Sequence, residues 1–196
     1  YLGLPGISGY DLGEQFREHA VKLGVSFLEQ EVTEIKKEDS AVFTIIFEDG
    51  SSVETKTVIY AAGATPRRAN IPGEQEYSGK GVSYCAICDG SFYRGKKVAV
   101  LGGGDTALDD AVYLADLAEQ VYVIHRRKEF RGAATTVEKL RKKENVTFVL
   151  EHQVKEITGA EKVNGVVLED GTAIAEDGVF VAYGSVQQTN KVKELV

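Results

Sequence analysis

The sequence predicts an α/β fold whose larger part is a parallel sheet wound with helices. Three observations predict it. Strand-like apolar runs recur between residues 97 and 183, helical periodicity fills the gaps between several of them, and one strand runs straight into Gly102-Gly103-Gly104 with an amphipathic helix behind it. Strands that alternate with helices pair in parallel, because a parallel neighbour is reached only through a crossover long enough to hold a helix.

Taken in order, a Gly/Pro-rich entry precedes residues 10–23, where Leu12, Phe16, Ala20 and Leu23 repeat at helical spacing. Asp11 stands near the front of that helix and Gly24 stops it. Short β-branched and aromatic runs follow at Val25–Leu28, Val32–Ile35, Val42–Phe47, Val53–Thr57 and Val58–Ala61, with Asp49-Gly50 as a hairpin turn. One helix and several short strands read as a βαβ-related fragment with an antiparallel meander. Gly63-Ala64-Thr65-Pro66 and Ile71-Pro72-Gly73 break the pattern and mark a domain boundary. Beyond it come strand Lys97–Leu101, helix Asp105–Leu117, strand Val121–Ile124, helix Ala134–Lys143 and strand Val146–Leu150. A hairpin-like pair over 154–168 and a last strand, Val179–Tyr183, complete the unit.

Composition narrows the function classes. Of the 196 residues, 43% are hydrophobic, enough for real cores, and the net charge of -7 argues against nucleic acid or an anionic membrane as main partner. The longest apolar run, around residues 41–47, is strand-sized and far from the ~18–20 residues of a membrane span. No signal segment opens the chain, so the expected location is cytoplasmic. Two cysteines three positions apart do not resemble a secreted disulfide framework. Methionine is absent, which suggests a piece of a longer protein.

The first motif is KVAVLGGGDTALDDA, residues 97–111, a G-x-G-x-x-A pattern on Gly102, Gly104 and Ala107. Gly102 permits the tight turn, Gly104 lets backbone approach a pyrophosphate, and Ala107 lets helix and strand pack closely. Asp105 and Thr106 open the helix whose N-terminus attracts phosphate. Glycine turns also occur for packing alone, but the strand before and the helix after favour a Rossmann-like dinucleotide site.

At the end of the next strand an NAD site would carry an acid for the ribose 2′-hydroxyl. This chain has His125-Arg126-Arg127 there, with Arg131 four residues on. Guanidinium groups grip a 2′-phosphate bidentately where a carboxylate would repel it, so position favours NADPH over a merely solvated basic patch.

The third motif is Cys85-Ala86-Ile87-Cys88-Asp89-Gly90. A C-x-x-C is half a zinc site, a structural bridge or a redox centre. Zinc needs about four ligands, and His19, His125 and His152 are scattered, so no metal is expected. A bridge across so short a loop adds little stability. A redox dithiol fits best. Asp89 could move the proton of thiol–disulfide exchange, or simply cap a turn.

CAICDG, GGGDTALDDA and HRRKEFR, in this order and at these separations, resemble the low-molecular-weight thioredoxin reductases. AAGATPRRANIPGE and VFVAYG are similar to that family's domain crossings. The resemblance implies a Rossmann-like NADPH-binding domain, a parallel sheet with helices plus an antiparallel meander, inserted in a partial FAD-binding domain. Residues 1–66 would belong to the FAD domain, 67–184 to the NADPH domain with the C-x-x-C, and 185–196 to the return. It further implies cofactors NADPH and FAD, thioredoxin as partner, a homodimer, Cys88 against the flavin, Asp89 as acid, and hinges near Gly63–Arg67 and Tyr183–Ser185.

This chain departs from the family pattern in places. Gly3, Gly6 and Gly9 follow no strand, so the FAD domain's own glycine turn is not seen, nor is its later Gly-Asp segment. The chain alone is therefore expected to bind NADPH, to lack FAD and turnover, and to leave Val42, Ile45 and Phe47 exposed. Ser91 replaces an aromatic thought to face thioredoxin, leaving Phe92. Two other readings stay open: a flavoenzyme that reduces a peroxiredoxin, and a non-catalytic NADPH-binding redox module.

Overall fold

The computed structural model describes residues 1–37, 42–193 and 195. Residues 38–41, 194 and 196, which the expected domain ranges include, lie outside the described residues. The chain divides into two compact units, Tyr1–Ala61 with Thr189–Val196, and Ala62–Gln188.

In the first unit, helix α1 (Gly9–Lys22) starts at Ser8, whose side chain accepts a 3.1 Å hydrogen bond from the Asp11 amide and so satisfies a free donor of the first turn. It ends at Gly24, whose φ of +86° suits glycine. Strands β1 (Val32–Lys37), β2 (Phe43–Phe47) and β3 (Ser52–Thr55) form an antiparallel meander in the order β1-β2-β3. The β2–β3 turn follows from Asp49-Gly50: the Asp49 carboxylate accepts from the Ser51 amide, and Gly50 takes a φ of +80°. Two expectations fail here. Residues 25–28 and 58–61 form no strand, because no neighbour among the described residues offers a ladder to pair with. Val42 and Ile45 are half-buried and Phe47 is buried, whereas Phe16, Leu23, Val25, Phe27, Leu28 and Ile59 are among the exposed apolar side chains.

The second unit begins with β4 (Ala64–Pro66) and β5 (Val82–Ser83), and then α2 (Ala86–Asp89) carries the cysteine motif. Strand β6 (Lys97–Leu101), helix α3 (Asp105–Ala115), strand β7 (Gln120–His125), helix α4 (Ala134–Arg141) and strand β8 (Val146–Leu150) follow. Strands β9 (Val154–Gly159), β10 (Val163–Leu168) and β11 (Ala173–Ala175) form an antiparallel meander, and β12 (Gly178–Val181) and β13 (Ser185–Gln187) close the unit. The main sheet is wholly parallel, in the order β5-β12-β6-β7-β8. This is the α/β architecture the alternation predicts.

Alternation along the central strand shows why it holds. Val98 and Val100 pack with Leu108, Leu114 and Leu140 of the helices, while Ala99 and Leu101 pack with Ile157, Val163 and Val166 of the meander. A strand covered on both faces reads as an unbroken apolar run, as KVAVL does. Gly63-Ala64-Thr65-Pro66, expected only as a break, supplies β4, which pairs antiparallel with β13 across more than a hundred residues of chain. No helix of the described residues is long and apolar enough to cross a membrane.

Candidate functional site

The glycine turn sits where β6 ends. Gly102 has a φ of +148°, and a Cβ there would lie 2.5 Å from the Ala182 carbonyl oxygen and 2.8 Å from the Ala107 Cβ. Only hydrogen fits, and Ala107 is fully buried against it. A Cβ on Gly103 would meet the His125 ring at 2.4 Å. Gly104 differs, because a Cβ there would meet nothing within 4 Å. Packing does not require its bareness, and the open space lies over the start of α3. No side chain caps that helix, so the amides at Asp105 and Thr106 are free to receive a phosphate. The residues therefore fit a dinucleotide pyrophosphate.

The arginine loop follows β7. His125 is buried, its ring stacked 5.4 Å from Phe130 and its Nε2 3.2 Å from the Glu129 carbonyl oxygen, to which it donates. Burial holds its pKa below the ordinary value against the pull of that hydrogen bond, and the charges of Arg127, Arg131 and Arg126 add to the depression. His125 is thus a wedge under the turn, its ring packed against Gly103. Arg126, Arg127 and Arg131 are exposed, and none has a carboxylate partner among the described residues. The loop is bound to the glycine turn itself: the Arg131 amide donates to the Gly103 carbonyl oxygen at 2.8 Å, and the Ala133 amide to Asp105 Oδ1 at 2.7 Å. Turn and arginines form one piece.

Cys85 caps the start of α2 and Cys88 lies within it. Cys85 and Cys88 form a disulfide with a Cα–Cα distance of 5.3 Å, Cys85 half-buried and Cys88 exposed. The Cys88 amide donates to Cys85 Sγ at 3.2 Å. Asp89, half-buried, accepts a 2.6 Å hydrogen bond from the Ser83 hydroxyl. Ser83 also accepts from the Cys85 amide at 3.1 Å. Ile87, between the two cysteines, and Phe92, four residues beyond Cys88, are 76% and 71% exposed. Gly90 packs beneath Tyr113 and Leu114 of α3, about 12 Å along that helix from its N-terminus at 1.5 Å per residue. Glycine turn and arginines therefore meet, while the dithiol lies against the same helix farther along.

Sequence reasoning missed several supports. Glu74, buried, accepts from the Ala69 and Asn70 amides and from the Tyr84 hydroxyl at 2.9, 2.6 and 2.9 Å. Burial and that carboxylate push the Tyr84 phenol up to about 12. Ser83 carries no motif, and nothing in the pattern marks it. The role of Asp105 in holding the loop, beyond its place in the glycine motif, was equally silent.

The family model for pyridine nucleotide-disulphide oxidoreductases matches residues 7–195. A thioredoxin reductase of Helicobacter pylori is 44% identical over 153 residues, which span 78% of this chain and 49% of that one. A bifunctional thioredoxin reductase/thioredoxin of Mycobacterium leprae is 35% identical over 196 residues, 97% of this chain and 43% of that one. The crystal structure of Lactococcus lactis thioredoxin reductase is similar with a TM-score of 0.81 at 35% identity, covering 100% of this chain and 66% of that one. The chain spans about half the length of the curated relatives it matches.

Proposed function

Because the chain belongs to the pyridine nucleotide-disulphide oxidoreductase family, we propose that it forms the nucleotide-binding and dithiol-bearing part of an NADPH-dependent thioredoxin reductase. The observation that carries the reading is the combination, in one compact unit, of a Cys85–Cys88 disulfide and a glycine turn bound to a loop whose three arginines have no carboxylate partner among the described residues. The names borne by the relatives support the same activity, and one of them joins reductase and thioredoxin in a single chain.

In this proposal Gly102, Gly104, Asp105, Thr106 and Ala107 form the turn that receives the pyrophosphate of NADPH. Arg126, Arg127 and Arg131 hold its 2′-phosphate, and His125 fixes the turn from below. NADPH supplies a hydride when bound. FAD is the second cofactor of the whole protein, and its pyrophosphate needs a glycine turn of its own, which the described residues do not add to the one at Gly102. The disulfide takes up two electrons and two protons to become a dithiol. One thiolate then attacks the disulfide of thioredoxin, and the other cysteine resolves the mixed disulfide. Asp89 moves the proton. Exposed Ile87 and Phe92 suit the docking of a protein partner beside Cys88. A cytoplasmic, homodimeric protein completes the reading.

The test uses a whole protein of the relatives' length. Oxidation of NADPH should depend on added thioredoxin, and Cys88→Ser should abolish it while NADPH still bleaches the flavin. Thioredoxin-independent turnover, or turnover with a peroxiredoxin alone, would overturn the assignment.

A further inference from the structure

We propose that Ser83 is a positioning residue for the dithiol: its buried hydroxyl joins the two flanks of the Cys85–Cys88 pair and holds the turn in the shape that favours the disulfide. The proposal rests on the redox reading of that pair. Ser83 lies on β5, set in register against Phe180 of β12, and is 5% exposed. From that fixed place its hydroxyl donates to Asp89 Oδ2 at 2.6 Å and accepts from the Cys85 amide at 3.1 Å. The Cys85 amide precedes the first sulfur and Asp89 follows the second, so the bridge encloses both. Neither bond uses a sulfur atom.

That independence matters when the pair is reduced. Opening the S–S bond takes two electrons and two protons and leaves two thiols, so the covalent tie across the turn is lost. The ties that do not depend on the S–S bond are the Asp89 amide bonded to the Cys85 carbonyl oxygen at 3.1 Å, the Cys88 amide bonded to Cys85 Sγ at 3.2 Å, and the Ser83 bridge, which alone anchors the turn to β5. Groups held close behave as though more concentrated, which favours their recombination. The hydroxyl bridge therefore biases the couple toward the disulfide, and a hydrogen bond to a carboxylate is of the stronger kind.

The experiment equilibrates the 196-residue chain with reduced and oxidised glutathione and counts alkylated thiols by mass spectrometry. The balance is protein dithiol plus oxidised glutathione giving protein disulfide plus two reduced glutathiones. Ser83→Ala should lower the equilibrium constant for disulfide formation by about tenfold, because the reduced chain loses a tie that keeps its two thiols close while the oxidised chain keeps its covalent one. Ser83→Thr, which keeps the hydroxyl, should restore most of it. Asp89→Leu reads the same bond from its half-exposed end, and Ser83→Ala added to it should cause no further drop. An unchanged constant in both single variants, or losses that simply add, would overturn the proposal. A wild-type chain with no reversible disulfide would instead overturn the redox reading beneath it.

Discussion

The Ala133 amide donates a 2.7 Å hydrogen bond to the Asp105 carboxylate, fastening the arginine loop to the first residue of α3. Phosphate-binding turn and phosphate-reading loop are thereby set at one distance before any nucleotide arrives. Gly132 is part of the same device, since a Cβ there would meet the Asp105 amide at 2.9 Å. Asp105→Ala should cost about 1.5–3 kcal/mol of stability, the scale of one hydrogen bond to a charged group. It should weaken NADPH more than NADH, because only the 2′-phosphate needs the loop in place. Thermal melting and calorimetry check both, and equal weakening of the two nucleotides contradicts the role.

Gly102 and Gly104 should respond in opposite ways to the same change. Gly102→Ala puts a methyl group 2.5 Å from the Ala182 carbonyl oxygen at a positive φ, and should destabilise the protein by more than about 3 kcal/mol. Gly104→Ala points its methyl group into open space, so melting should stay near wild type while NADPH binding is lost. A Gly104→Ala protein that binds NADPH normally would remove the pyrophosphate from that place.

The cysteines should behave as a reversible pair. Thiol titration of the chain should find two free thiols after reduction and none after mild oxidation. Native mass spectrometry should find no stoichiometric zinc, and one zinc per chain would restore the metal reading.

Glu176 is buried with both carboxylate oxygens unpartnered among the described residues. Burial, with Asp177 adding, raises its pKa well above the ordinary 4.5. A group whose folded pKa is raised contributes its stability below the unfolded value and loses it as pH climbs toward the folded one. Melting temperature should therefore fall as pH rises from the acid side toward neutrality, and Glu176→Leu should flatten that slope and stabilise the neutral protein. A slope identical in wild type and variant contradicts the assignment.

The Rossmann-like core was legible because each of its signals is local. KVAVL is buried on both faces, the glycines follow it at once, and the basic cluster stands at the end of the next strand. What escaped depends on partners distant in sequence. Val25–Leu28 and Val58–Ala61 have strand composition, yet composition cannot supply a neighbour. Val82–Ser83 and Ser185–Gln187 look like loop and are strands only because β12 and β4 lie beside them. The site divides the same way. Gly102, Gly104 and the arginines are readable from spacing, whereas Ser83, Glu74 and the Asp105–Ala133 link act through hydrogen bonds that no motif encodes.

The central claim, that an NADPH site shares one unit with a redox dithiol, is tested most directly by titrating the chain with NADPH and with NADH in a calorimeter. NADPH should bind more tightly, and Arg126→Ala with Arg127→Ala should erase roughly 10- to 150-fold of affinity, the value of one charge-assisted hydrogen bond. NADH should be nearly unaffected by the same change. Equal affinities for the two nucleotides in the wild-type chain, or equal losses in the variant, would contradict the account.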